Sequence, residues 1–308
     1  MATDRLKQLR IVDPVLTSIA RGYKNAGYIS EALFPVVSVD KEGVTIPMFG
    51  KEAFRLYETE RAIRAKSNVM MPDKVNPLDV VLREHDLSYP IDYRESHEDI
   101  FDAEARATRR VKDSLDLRRE KACAALAQNP NSYNSNARKA LTGSEKWSDN
   151  GGDPIKDVED GKEIIRQEIG VRPNTIVMGA ATYQTLKFHQ KLQEALGSNE
   201  RKLITLEHLQ ALFGIDRIFI GEAIAGDKKT SDVWVDNLIL SYTAQTRGEE
   251  EEGSYEEPSF GYTLRLSGMP ETDTYDQEGG KLRFVRHTDI YKSVIVGKDA
   301  GYLISSIK

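Results

Sequence analysis

The chain has 308 residues, 39 % of them hydrophobic and 30 % charged, with a net charge of −6 and one cysteine, Cys123. Interspersed charges of both signs argue against a basic face built to grip nucleic acid, and a single cysteine excludes an internal disulfide. No apolar run nears the roughly 18 residues of a membrane span, and the first residues lack an apolar signal core, so the expected setting is a cytoplasm.

The apolar content is low for this length. The shape is extended, or apolar surface is buried between chains. Residues 1–44 mix short apolar groups with turn residues. The groups at 11–16 and 33–37 contain Pro14 and Pro35, which remove a backbone donor and suit neither to a central strand. An extended arm with one short helix is expected, lying on another surface. Residues 44–92 read as a long two-stranded excursion, leading out at 44–49 and 54–57 and returning at 80–91. Its middle, 61–76, is polar and basic, with Arg61, Arg64, Lys66 and Lys74. Two strands alone are marginal in water, so this hairpin needs a partner surface, with a neighbouring subunit the candidate.

Residues 97–128 carry the longest helical pattern, about 45 Å at 1.5 Å per residue. Ser96 with Asp99 three residues on is the expected N-cap. Ile100, Ala103, Ala107, Val111, Leu115, Ala122 and Leu126 recur at spacings of three, four and seven and form one stripe. Asn129-Pro130 ends it. Elsewhere on this helix Arg106, Arg109, Arg110, Asp113, Asp116, Arg118, Arg119 and Glu120 alternate in sign. They are expected on a solvated face, with inter-subunit salt bridges as the alternative.

Residues 129–152 form a loop. Asp153 and Pro154 then open a helix as N-cap and first residue, with Ile155, Val158, Ile165 and Ile169 on one face and Gly170 closing it. The apolar run 175–178 is a strand that stops at Gly179, followed by one helix to about Leu196 that Thr182 helps to cap. Thr205 caps a short helix through Leu206, Leu209 and Phe213, closed by Gly214. Strands are expected at 217–220 and 233–242. Six glutamates within 249–257 read as a solvated loop. An alternating strand at 262–267 follows, then two more at 281–287 and 289–296, and a last apolar group at 302–304.

A strand, a glycine and a helix N-terminus are also the ingredients of a phosphate cradle. Here a single glycine precedes Ala180-Ala181-Thr182, without a Lys-Ser/Thr pair, so a tight turn is the expected role. His85, His97, His189, His208 and His287 show no ligand spacing, and 149–160 lacks the ordered positions of a calcium loop. Cys123 sits mid-helix in a packing position. No Gly-x-Ser-x-Gly elbow occurs. No catalytic, metal or cofactor-binding residue and no cofactor is expected.

Pro173-Asn174-Thr175-Ile176-Val177-Met178-Gly179, followed by Tyr183, Leu186 and His189, resembles a strand-to-helix segment of tailed-phage major capsid proteins. Leu212-Phe213-Gly214-Ile215 with Arg217 to Gly221, and the tail from Val294 to Ile304, resemble elements of the same family in the same order. The resemblance covers nearly the whole chain and implies the α+β Hong Kong 97-type capsid fold. It divides the chain into an N-terminal arm (1–44), an E-loop (45–92) and a P-domain (93–200) with a spine helix at 97–128. An A-domain (201–284) and return strands (285–308) follow.

The implied function is a structural capsid protein that self-assembles, as hexamers and pentamers, into an icosahedral shell around double-stranded DNA held without sequence-specific binding. The virion capsid is the implied location, with host cytoplasm during assembly. Subunit-interface candidates are Phe54, Arg55, Tyr57, Arg61, Arg64 and Lys66 on the excursion, and Arg109, Arg110, Arg118 and Arg119 on the helix. No long helical segment precedes the arm, so a separate scaffold protein is the expected alternative to a fused one, with portal and decoration proteins as further candidate partners. Lys66 and Lys74 lie where one family member places a cross-linking lysine, but cross-linking is not expected. An encapsulin-like nanocompartment is the runner-up. A phosphate- or nucleotide-using enzyme is the alternative of another class.

Overall fold

The computed structural model describes residues 13–22, 27–48, 59–61, 66–68, 76–94, 102–149, 151–197, 203–226, 229–244 and 259–308. Within them the chain is α+β, with two five-stranded sheets and two small two-stranded ones, one of them β8 (Ile224–Ala225) with β9 (Ser231–Asp232). One long helix contributes to the cores beside both five-stranded sheets.

In the first sheet, β1 (Val36–Val39) pairs in parallel with β11 (Gly261–Leu266) and lies at the edge. An edge strand tolerates the donor that Pro35 lacks just before it. Strand β11 continues antiparallel to β13 (Leu282–Ile295), which β12 (Glu271–Gln277) and β4 (Arg83–Asp92) flank. Two strands were expected at 281–287 and 289–296, and they are one. The register runs unbroken through Thr288 and Asp289, opposite Asp86 and His85. No turn residue interrupts it, and Asp289 is held inside the ladder by Arg265 at 2.9 Å. Strand β11 does not alternate in burial as its sequence suggested, because residues 261–264 are buried on both faces.

The excursion is a two-stranded sheet of β2 (Gly43–Met48) and β3 (Asn76–Val81). The return does not run straight from 80 to 91. It breaks at Leu82, whose side chain turns into the core, and β4 then joins the first sheet. Ile46, Val80 and Leu82 seat the hairpin's base on its own chain beside Val37, Val39 and Leu264. The outer parts of the excursion lie outside the described residues.

The arm is also seated on its own chain. Asp13 accepts hydrogen bonds from the backbone of Val15 and Leu16 at 2.8 and 3.0 Å and opens α1 (Pro14–Gly22). Leu33 and Phe34 are fully buried, with Phe34 packed 5.9 Å from Phe260 between ring centroids.

The long helix α2 (Ala103–Ala127) has 25 residues, about 37 Å. Its N-cap is Asp102, whose carboxylate accepts the Ala105 N–H at 3.0 Å. Ser96, Asp99 and Ile100 lie outside the described residues. The buried stripe runs through Ala107, Val111, Leu115, Cys123, Ala124 and Ala127, with Lys112, Arg119 and Glu120 inside it. Ala122, expected inward, is exposed. A stepping of four carries the inward face through 119 and 123, and paired charges fill the gap that the sequence pattern bridged with 122.

The second sheet has the order β5 (Arg138–Ala140), β14 (Gly301–Ser305), β10 (Leu238–Ser241), β6 (Thr175–Gly179), β7 (Arg217–Gly221). Strand β6 is buried at every residue. Only 238–241 of the expected strand 233–242 forms, because 233–237 turns: the Asn237 N–H bonds to Val235 O at 2.8 Å. Helix α3 (Pro154–Ile169) is capped by Asp153 and ends at Gly170 with φ +72°.

The single helix expected to reach 196 is two, α4 (Ala180–Lys187) and α5 (Gln190–Ala195). Leu186 and Leu192 are six residues apart, roughly 120° apart around one continuous helix. The break at Phe188 and His189 lets both reach the core. Helix α6 (Leu206–Phe213) has the capping box of Thr205 and His208. Sheet membership cuts across the expected segments: the second sheet draws β5 and β6 from 93–200, β7 and β10 from 201–284, and β14 from 285–308. The glutamate run 249–257 lies outside the described residues.

Candidate functional site

The strand–glycine–helix unit is closed to a phosphate by its own chain. Gly179 has an ordinary φ of −73°, so its conformation does not demand glycine. Space does: a Cβ there would lie 2.0 Å from the Val235 carbonyl oxygen and 2.6 Å from that of Trp234. The Gly179 N–H donates to Asn237 O at 3.3 Å, and the Thr182 hydroxyl donates to the same oxygen at 3.2 Å. Thr182 therefore ties the helix to the 233–237 turn and makes no capping bond.

Three of the histidines have local partners, His189 is buried with neither ring nitrogen hydrogen-bonded among the described residues, and His97 lies outside the described residues. His208 belongs to its capping box, and His85 packs against Tyr291 in a tilted ring pair with centroids 4.5 Å apart. His287 is buried with Nδ1 2.8 Å from the Thr272 hydroxyl, and burial pushes its pKa down to about 4. Among the described residues no group of three or more His, Cys, Asp or Glu is arranged to hold a metal ion.

Three buried charged residues, Lys112, Arg119 and Glu120, lie on α2. Glu120 is fully buried, and its carboxylate accepts three hydrogen bonds. They come from the backbone N–H of Ile29 at 3.0 Å, that of Ser30 at 2.9 Å and the Trp234 indole at 2.7 Å. One side chain thus ties the arm, the long helix and the turn beside the second sheet. Immediately before it in sequence, Arg119 is 8 % exposed and pairs with Glu31 at 3.0 Å and Asp116 at 3.4 Å. Lys112 meets the other oxygen of Asp116 at 2.6 Å. Burial opposes the Arg119 charge, but Asp116 and Glu31 outweigh it and raise its pKa.

The outward side of the same helix carries Arg109, Arg110, Arg118 and Lys121, all exposed and without an ion pair among the described residues. Of the charges that alternate in sign along the sequence, Arg119 and Glu120 are thus held inward with Lys112, whereas Arg109, Arg110 and Arg118 turn outward. Of the interface candidates, Arg109, Arg110 and Arg118 lie on that outward side, and Arg61 and Lys66 are exposed. Arg119 differs from them in being buried on its own chain, where two carboxylates draw it into the stripe. Phe54, Arg55, Tyr57 and Arg64 lie outside the described residues.

Glu120 escaped the sequence reading. Its signal was phase: it lies between Leu115 and Cys123 where the stripe passes, and a charge in phase with buried positions is buried only when partnered. The same holds on α3, where buried Asp157 is held by Lys139 at 2.7 Å and the Trp147 indole at 2.8 Å. There, Lys162 reaches Glu159 at 2.6 Å and Phe213 O at 2.7 Å.

Residues 23–234 match the family model for phage major capsid protein E. The chain is 50 % identical over 305 residues to the major capsid protein of Burkholderia phage BcepMu, covering 98 % of this chain and 99 % of that one. A phage-related protein of Bordetella bronchiseptica, solved as a crystal structure, superposes with a TM-score of 0.79 at 33 % identity over 97 % of this chain and 98 % of that one. The SrpI encapsulin of Synechococcus elongatus superposes at 0.50 with 11 % identity, over 97 % and 96 % of the two chains, a likeness of fold alone. Structures of Mycobacterium phage Che8, Microbacterium phage Oxtober96 and the capsid of a GTA particle share that fold at 10–15 % identity.

Proposed function

This chain belongs to the phage major capsid protein E family and is a structural protein of the virion shell, and from that premise we propose how its parts are used. Copies associate as hexamers and pentamers and enclose double-stranded DNA without reading its sequence. The first sheet with α2 serves as the P-domain, and the second sheet with α3 to α6 as the A-domain. The hairpin β2–β3, with the residues between its strands, is the E-loop that reaches a neighbour. Phe54, Arg55, Tyr57, Arg61, Arg64 and Lys66 meet that neighbour, as do Arg109, Arg110 and Arg118. The protein performs no catalysis. It assembles in the host cytoplasm, where a separate scaffold, a portal and decoration proteins are its further partners.

The observation that carries this reading is the hairpin. Strands β2 and β3 pair only with each other among the described residues, and the base of the hairpin, through Ile46, Val80 and Leu82, packs on its own chain. Two strands without a packed face are marginal in water, so the rest gains its stability from another copy. Negative-stain microscopy of the purified protein tests the reading, with closed shells as the expected result. A monodisperse monomer or dimer that binds a nucleotide would count against it. Shells that carry an enzyme cargo in place of DNA would favour the nanocompartment, which the 50 % identity to a phage capsid protein disfavours.

A further inference from the structure

A cleft of about 170 Å³ opens between α2, the arm and the first sheet, lined by Glu31, Lys112, Asp116, Arg119, Arg265 and Asp289 together with Leu115 and His287. It far exceeds the roughly 10–15 Å³ that one water needs. Three buried polar atoms, each from a different element, have no hydrogen-bond partner among the described residues: Arg119 Nε on α2, Arg265 Nε on β11 and Asp289 Oδ1 on β13. Other atoms of the same three groups are paired. Arg119 pairs through its terminal nitrogen with Glu31 and Asp116, and Arg265 pairs through its own with Asp289 Oδ2. What is left over is two N–H donors and one carboxylate acceptor. Buried polar groups of native proteins are nearly always bonded, so three in one cleft ask for an occupant.

Charge narrows the choice. Three cations and three carboxylates line the cleft, and His287 is neutral at physiological pH. The walls sum to zero, so an added anion or cation would be buried without a counter-charge. The occupant that fits is neutral and has both an acceptor and a donor. An amide is such a group: its carbonyl oxygen accepts from the two guanidinium N–H groups, and its N–H donates to Asp289 Oδ1.

We propose that this cleft is a socket for an amide, a side-chain Asn/Gln group or a peptide unit, supplied by a second copy of this chain when subunits assemble. Water fills the socket in the free subunit. The proposal rests on the shell reading, which supplies the second copy.

The test uses shells and free subunits side by side. In a side-chain-resolution map of wild-type shells, an amide of an adjacent subunit should lie within hydrogen-bond distance of Arg119 Nε or Arg265 Nε and of Asp289. A socket filled by water or a free ion overturns the proposal. Two variants probe it in solution. Arg265→Lys keeps the charge that holds Asp289 but loses the Nε donor, and Leu115→Phe fills the cleft. Each should raise the assembly threshold tenfold or more while free subunits melt within a few degrees of wild type. A folded variant that assembles at the wild-type threshold overturns the proposal, and Arg265→Lys decides if Leu115→Phe does not fold. If wild-type protein forms no shells at all, the shell reading fails instead.

Discussion

Replacing Glu120 should unlock three parts of the molecule at once, and the two replacements Gln and Ala should differ in a defined way. The Ile29 N–H and the Trp234 indole share Oε1, whereas the Ser30 N–H bonds Oε2. Glu120→Gln can keep its carbonyl at the Oε1 position and hold two of the three donors. Its NH₂ then faces the Ser30 N–H, donor against donor. One charge-assisted hydrogen bond is lost, so the cost should be about 1.5–3 kcal/mol. Glu120→Ala leaves all three donors unsatisfied in a site that is fully buried. At about 1–3 kcal/mol for each orphaned group, partly relieved by water entering the space, the loss should be about 4 kcal/mol or more. That is a large share of the roughly 5–15 kcal/mol that holds an ordinary domain together. The assay is urea unfolding of unassembled subunits followed by tryptophan fluorescence, which reports on Trp234 because only two tryptophans are present. Equal costs for Gln and Ala, or an Ala variant within 1 kcal/mol of wild type, would refute the reasoning.

Gly179→Ala should abolish soluble folded protein, since even a methyl group would sit 2.0 Å from Val235 O. Lys187→Ala, which removes only an ammonium 4.3 Å from the Tyr183 ring centre, should melt like wild type in the same calorimetric scan. His287 has a folded pKa of about 4, below its ordinary 6.5, so the unfolded chain binds the extra proton first. Stability should therefore be full above pH 6.5 and fall by roughly 3 kcal/mol as pH drops toward 4. His287→Asn should flatten that slope in denaturant titrations across the range, and an unchanged slope would remove His287 as its cause. Burial raises the Cys123 thiol to about 11, so a thiol reagent at pH 8 should label native protein at a small fraction of the rate seen in urea.

Much of the fold was legible where local rules act alone. The caps at Asp153 and Thr205, the stops at Gly170 and Gly214, and the buried strand at 175 all follow from short sequence signals. What was not legible depends on distant partners. Thr288 and Asp289 look like a strand break until Arg265 supplies the counter-charge. Phe188 looks helical until the core claims both Leu186 and Leu192. The charges of α2 look like a solvated band because sign and spacing alone do not reveal that Glu120 receives donors from residues 29, 30 and 234. Of the candidate interface, the outward arginines were readable from helical phase. Arg119 was not, since its partners Glu31 and Asp116 decide its side.

The placing of β14 sets a timetable for the chain during its synthesis. This strand lies between β5 and β10, yet its first residue, Gly301, follows Ala140, the last of β5, by 161 positions. At about 5–20 residues per second a ribosome takes roughly ten to thirty seconds to cover that distance. Until it does, the apolar edge of β10 and the faces of Tyr302, Leu303 and Ile304 have no mates. The first sheet waits in the same way, with β1 idle until β11 emerges. A half-made chain therefore cannot present finished surfaces to its neighbours, and nascent copies translated from one messenger are kept from joining a shell before each is whole enough to fit.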